Sequence, residues 1–238
     1  MKTTYDNLEM VLHVARKFGT LLEKVVFLGG SATGLLISDP AAPDVRITQD
    51  VDVIVEAATW MEYHRLEREL LQRGFVQDAS EGAPVCRWRV DGIIVDVMPV
   101  SEEILGFSNR WYGPALQNSV KREITQELTI RLVTAPYFLA TKIEAFRGRG
   151  NGDYLASHDL EDMITLIDGR KELLSEIINA PSDLRIFLAE TFRDFLANSA
   201  FVECISGHLL PDKASQWRLP LVMRRMNQIA ENMIKKLE

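Results

Sequence analysis

Three aspartates stand out by their company. Asp50-Val51-Asp52 opens a run of β-branched residues, Asp50 to Val55, that reads as a strand. Successive strand residues point to opposite faces, so Asp50 and Asp52 share one side while Val51, Val53 and Val55 take the other. Their α-carbons would lie about 7 Å apart. Two carboxylates at that spacing repel unless a cation lies between them, and hard oxygen ligands suit Mg2+ or Mn2+. An exposed strand end carrying two solvated aspartates is the simpler alternative. The third, Asp96, interrupts the apolar run Ile93 to Met98. Asp91-Gly92 is a hairpin signal between Val85–Val90 and Ile93–Met98, and a two-residue turn pairs Val90 with Ile93 and sets Arg87 opposite Asp96. Two readings follow. Either Arg87 and Asp96 form a cross-strand ion pair, or Asp96 joins Asp50 and Asp52 at a metal while Arg87 balances charge or reaches a phosphate. A buried charge needs a partner in both cases.

A glycine turn lies upstream. Gly29-Gly30-Ser31 follows the short apolar strand Lys24–Leu28 and leads into a helix expected from Ala32. Backbone N–H groups and a helix N-terminus can receive a phosphate there, and the glycines allow close approach. The same pattern also serves purely structural turns. It lacks the Gly and Lys spacing of a dinucleotide fingerprint or a P-loop.

The surrounding pattern sets the frame for these residues. A helix is expected over Asn7–Phe18 with Gly19 as its stop, and a loop over Ser38–Thr48, where Asp39-Pro40, Pro43 and Asp44 cluster. Thr59 and Glu62 have capping-box spacing for a helix through Gln72, which Gly74 ends. A strand at Leu128–Val133 precedes a helix capped by Thr134, with Pro136 in its first turn, that runs to about Phe146. Gly148 to Asp153 interrupts, and helical periodicity resumes over Ser157–Ile167, Lys171–Asn179, Ser182–Asn198 and Leu219–Lys236. The expected class is α+β: a mixed β-sheet flanked by helices over residues 1–134, then a C-terminal α-helical domain over 135–238.

Composition narrows the function classes. A chain of 238 residues with 47% hydrophobic residues is not disordered, and burial of about 70% of its extended surface suffices for a core without metal or disulfide staples. No apolar run reaches the roughly 20 residues of a membrane helix, and Met1-Lys2-Thr3-Thr4-Tyr5 has no apolar signal core. Cys86 and Cys204 can form neither a disulfide scaffold nor a four-ligand zinc site, and read as buried thiols. A cytoplasmic protein with no membrane partner is expected. The net charge of −7 counts against coating DNA. From Asp39 to Tyr112 there are 14 Asp/Glu against 7 Lys/Arg, whereas Lys121 to Gly150 is basic. Metal beside phosphate would explain that contrast, and so would two solvated faces. His13, His64 and His208 lack ligand spacing, and His158 reads as a capping or surface residue. Trp88, Trp111 and Tyr112 read as core, with stacking on a base the alternative, and Arg224-Arg225 with Lys235-Lys236 as a polar helix face or a tRNA-contacting patch.

Taken together, Gly29-Gly30-Ser31, Asp50-x-Asp52 and Asp96 resemble the polymerase-β-type nucleotidyltransferase superfamily. The 18 residues between Ser31 and Asp50 suit its bacterial branch, in which an Arg-x-Thr/Ser-x-Asp-x-Asp segment follows a loop; here that segment is Arg46-Ile47-Thr48-Gln49-Asp50-Val51-Asp52. Downstream, Lys142-Ile-Glu-Ala-Phe-Arg147 and Asp159-Leu-Glu-Asp162 resemble elements of the AbiE-type and MenT-type toxin nucleotidyltransferases, although Gly148 between Arg147 and Arg149 departs from that register. The resemblance spans Val25 to Leu166. It implies an enzyme that moves an NMP from an NTP to an acceptor hydroxyl with release of pyrophosphate. It further implies two Mg2+ ions, or Mn2+, on the catalytic residues Asp50, Asp52 and Asp96. Gly29, Gly30 and Ser31 would hold the triphosphate, Lys142 would neutralise it, and Asp159 would orient Lys142 or the nucleotide. First-turn acids favoured by the helix dipole explain Asp159 and Asp162 equally well. In the toxin branch the acceptor is tRNA or protein and an antitoxin is a partner. Antibiotic-modifying relatives use a small-molecule hydroxyl, and a non-catalytic nucleotide- or partner-binding module on the same fold is the remaining alternative.

Overall fold

The computed structural model describes residues 6–106, 109–150 and 152–231. The N-terminal Met1–Tyr5 stretch and Lys235-Lys236 lie outside the described residues. The chain divides into two compact units. One comprises Met1–Leu35 and Arg46–Thr134, the other Leu36–Val45 and Ala135–Glu238.

The first unit holds the sheet. Its strands are β1 (Val25–Leu28), β2 (Asp50–Val55), β3 (Val76–Gln77), β4 (Arg87–Val90), β5 (Ile93–Pro99), β6 (Val120–Thr125) and β7 (Leu128–Leu132). They form a seven-stranded sheet in the order β3-β4-β5-β2-β1-β7-β6. The β2–β5 and β1–β7 pairs are parallel and the others antiparallel, so the sheet is mixed. All four residues of β1, Val-Val-Phe-Leu, are buried, as a strand covered on both faces requires. Its helices are α1 (Asn7–Phe18), α2 (Gly29–Leu36), α3 (Trp60–Gln72), α4 (Glu102–Leu105) and α5 (Tyr112–Gln117). Phe18 of α1 meets Phe27 of β1 edge-on at 6.2 Å between ring centres and Phe75 at 5.1 Å, which ties this helix to the core.

Local chemistry accounts for the element ends. Thr59 and Glu62 form the expected reciprocal capping box at α3. Asp91 and Gly92 both have positive φ (49° and 86°), the geometry of a primed hairpin turn, and Val90 pairs with Ile93 as the spacing predicts. One boundary differs from expectation. Helix α2 starts at Gly29 rather than Ala32, because Gly29 takes φ +72° and turns the chain out of β1 at once. Strand β6 escaped the sequence pattern as well. Val-Lys-Arg-Glu-Ile-Thr is mostly exposed, so it lacks the alternation that marks a half-buried strand.

The second unit is helical: α6 (Ala135–Arg149), α7 (His158–Gly169), α8 (Leu173–Asn179), α9 (Ser182–Ala197), α10 (Ser199–Cys204), α11 (Lys213–Gln216) and α12 (Leu219–Glu231). Helix α6 runs through Gly148 to Arg149, a turn longer than expected. Ser157 caps α7 through the Leu160 amide, leaving His158 exposed beside Glu161. The 36–45 segment belongs to this unit. The Ser38 and Asp39 amides both donate to the Gly169 carbonyl, at 3.0 and 2.8 Å. Arg218 donates to Asp168 at 2.7 Å and to Asp39 at 2.8 Å. Arg225 donates to the carbonyls of Ile167 and Asp168, both at 2.6 Å, a cation at a helix C-terminus rather than a free polar face. The α+β class with a mixed sheet and a helical C-terminal part stands as expected. Among the described residues no helix is long and apolar enough to cross a membrane.

Candidate functional site

The site follows from strand register. Parallel pairing of β2 with β5 places Asp52 beside Asp96 and Asp50 beside Ile94, and ladder partners share a face. Antiparallel pairing of β4 with β5 puts Arg87 beside Asp96, and pairing of β1 with β2 puts Leu28 beside Asp52. One row therefore crosses four strands: Arg87, Asp96, Asp52, Leu28. Asp50 lies two residues from Asp52 on the same face. On the opposite face Val51, Val53, Val95 and Val97 are fully buried, so a one-residue slip would drive the carboxylates into the core.

Gly29 extends this row. A β-carbon built there would lie 2.6 Å from Cγ of Asp52 and closer still to its Oδ2. The Asp52 carboxylate thus rests on the α-carbon of Gly29, where the chain turns into α2. Ser31, in the first turn of α2, is 2% exposed, and its Oγ is buried without a hydrogen-bond partner. A buried hydroxyl without a partner is costly in a native fold. It is a donor placed where the glycine turn and the helix N-terminus already favour an anion.

Asp96 is held from the other side. Arg87 Nε donates to Oδ1 at 2.8 Å and Nη2 to Oδ2 at 2.7 Å, a two-pronged pair with Asp96 8% exposed. Those hydrogen bonds, and then the charges of Asp96 and Asp50, raise the pKa of Arg87 above its ordinary value against the effect of burial. The ion-pair reading of Asp96 is thus realised in the structure. Cys86 is buried next to this pair in sequence, and its thiol is pushed up to about 12 by burial, then by the charge of Asp96 and, more weakly, of Asp52. That removes it as a nucleophile.

The donor chemistry suits a hard divalent ion. Mg2+ is ordinarily held by one or two carboxylates together with phosphate oxygens rather than by an all-protein cage. Asp50 and Asp52 could serve as such a pair, and Ser31 with the Gly29-Gly30 turn could donate to phosphate beside it. Among the described residues no three His, Cys, Asp or Glu side chains converge as a metal-binding group.

Sequence reasoning missed Asn7. Its Nδ2 donates to the Arg46 carbonyl at 2.7 Å, and its Oδ1 accepts from the Thr48 amide at 2.9 Å. Thr48 Oγ1 in turn donates to the Asp50 carbonyl at 3.1 Å. The first residue of α1 therefore clamps the segment that delivers Asp50 to the sheet. No local pattern betrays this role, since an Asn after a helix cap is unremarkable and its partners are 39 and 41 residues away. Asn7→Ala is expected to lower the unfolding free energy by about 1–3 kcal/mol, measured in urea, because the buried Thr48 amide loses its acceptor.

The remaining candidates meet in the second unit. Lys142 of α6 lies 3.1 Å from Asp159 and 2.7 Å from Asp162, both on α7. Arg149 grips Asp159 through Nε at 3.0 Å and Nη2 at 2.9 Å. Arg147 turns away, donating to Thr191 Oγ1 at 3.1 Å and lying over the Phe187 ring. Lys142, Asp159 and Asp162 are all buried. Burial acts to raise the pKa of Asp159, but the Arg149 hydrogen bonds and the Lys142 and Arg149 charges outweigh it and hold the carboxyl below 3.8.

No family model matches the chain, and no curated protein matches it either. Among solved structures the chain is similar to a provisionally assigned nucleotidyltransferase from H. pylori, at 12% identity and a TM-score of 0.47 over 98% of this chain and 96% of that one.

Proposed function

We propose that this chain is a metal-assisted nucleotidyltransferase that moves an NMP from an NTP to an acceptor hydroxyl and releases pyrophosphate. The observation that carries the proposal is the row formed by Asp96, Asp52 and the bare α-carbon of Gly29, with the partnerless Ser31 hydroxyl in the next turn. A phosphate held by those donors would be repelled by the adjoining carboxylates unless a cation lay between them. A divalent ion on Asp50 and Asp52, when bound, supplies the positive charge that an in-line displacement at phosphorus requires. Ser31 and the amides of the glycine turn bind and orient the triphosphate. Asp96 accepts the proton of the attacking hydroxyl at a carboxylate oxygen. Lys142, shared between Asp159 and Asp162, is given a structural role. The finer assignment is a toxin-like enzyme acting on tRNA or protein in the cytoplasm.

Incubating the purified chain with Mg2+ and each α-labelled NTP, in the presence of tRNA, of cell extract or of aminoglycosides, tests this. Label is expected on one acceptor class, and that class separates the toxin-like assignment from a small-molecule modifier. Transfer falls to background in EDTA and in Asp52→Asn. Undiminished transfer in either condition overturns the metal assignment, and nucleotide binding without transfer to any acceptor favours a binding module.

A further inference from the structure

Arg87 is paired with Asp96 at the sheet face that carries Asp50 and Asp52. We propose that Arg87 is a latch that couples metal binding to nucleotide binding: it neutralises Asp96 until the phosphates of an incoming nucleotide draw its guanidinium away. This rests on the nucleotidyltransferase reading of the same site and specifies how that site is regulated.

Three observations carry it. Both oxygens of Asp96 are engaged by the one guanidinium, at 2.8 and 2.7 Å, so a cation approaching Asp52 meets the charges of Asp50 and Asp52 but not a third. Arg87 is the first residue of β4, one strand from the sheet edge that β3 forms with only two residues, and its side chain is 27% exposed. It is part-exposed, whereas the valines on the opposite face are fully buried. The guanidinium fork also fits phosphate as it fits carboxylate, so a triphosphate bound at Gly29-Gly30-Ser31 offers an equivalent partner. Once Arg87 has moved, Asp96 is released to the metal and the acceptor hydroxyl. The coupling is reciprocal by necessity: whatever factor the phosphates add to metal affinity, the metal adds to phosphate affinity.

The test reads metal binding without turnover. Titrated with Mn2+ alone and followed by the EPR signal of free Mn2+, Arg87→Met is expected to bind about tenfold more tightly than the wild-type chain, since one neighbouring positive charge is gone. Arg87→Lys, which keeps the charge, stays within about twofold of wild type. The titration is read on Arg87→Met whose circular dichroism and unfolding match wild type, since misfolding could expose other carboxylates to Mn2+. Unchanged or weaker Mn2+ binding by folded Arg87→Met overturns the latch. In the wild-type chain, the 15N–1H signal of the Arg87 side-chain Nε, assigned by its loss in Arg87→Lys, is expected to shift when Mg2+ and tripolyphosphate are added together. An unmoved signal overturns the latch even if the methionine variant fails to fold. Mn2+ binding that survives in Asp52→Asn instead overturns the underlying metal site. Binding lost in Asp52→Asn but not tightened in Arg87→Met removes the latch alone.

Discussion

Gly29→Ala is expected to lower nucleotidyl transfer by about 10²-fold or more while the chain stays folded. Two effects combine at this residue. At φ +72° any Cβ is strained, by about 1–2 kcal/mol, and the new methyl would sit 2.6 Å from Cγ of Asp52. The methyl cannot be accommodated unless the carboxylate or the glycine turn shifts, and a displacement of about 1 Å in a reacting group costs about 10²-fold. Gly74→Ala separates the two effects. It carries similar backbone strain at φ +83° with nothing within 4 Å of its added methyl. Both variants should melt a few degrees lower, and only Gly29→Ala should lose transfer. Equal loss of transfer in both would mean that general destabilisation, not displacement of Asp52, is responsible.

The second large effect concerns stability. Lys142→Met is expected to lower the unfolding free energy of the full chain by about 3–5 kcal/mol, because it leaves buried carboxylates without their shared cation. Asp159 keeps its two hydrogen bonds from Arg149. The pH dependence gives an independent signature. A carboxyl held below its ordinary 3.8 in the folded state contributes stability that is full above that value and is lost as pH falls toward the depressed pKa. In that window the unfolded chain binds more protons, so stability rises with pH. Removing Lys142 takes away part of what depresses Asp159, so the stability of the variant should depend less steeply on pH below about 4. Urea unfolding at pH 7 and at pH 3 measures both quantities. A variant as stable as wild type at pH 7 would show that the Lys142 pairs contribute nothing net.

The site was legible in the sequence wherever its geometry is local. The alternation of Asp50-Val51-Asp52-Val53 is enough to put the two acids on one face and the valines on the other, and the burial of β2 follows it. The two-residue Asp91-Gly92 turn counts out the register that sets Arg87 against Asp96. Asn7 and strand β6 were invisible for different reasons. Asn7 acts through backbone groups about forty residues away, and β6 is an edge strand too exposed to alternate.

The pairing of Asp52 with Asp96 is another matter. It depends on β2 and β5 lying side by side and parallel, with α3, β3 and β4 between them in the chain. The placement of Gly29 against Asp52 likewise depends on the antiparallel register of β1 and β2 across the 36–45 segment. The sequence by itself determined which face each acid takes, where the chain turns and which arginine faces Asp96, because these follow from the two-residue period of a strand and the length of one turn. Only the tertiary structure decided that Asp52 adjoins both Asp96 and Gly29. Strand neighbours are chosen by burial of the all-apolar β1 and of the valine face beneath β2 and β5, a long-range balance that no local spacing encodes.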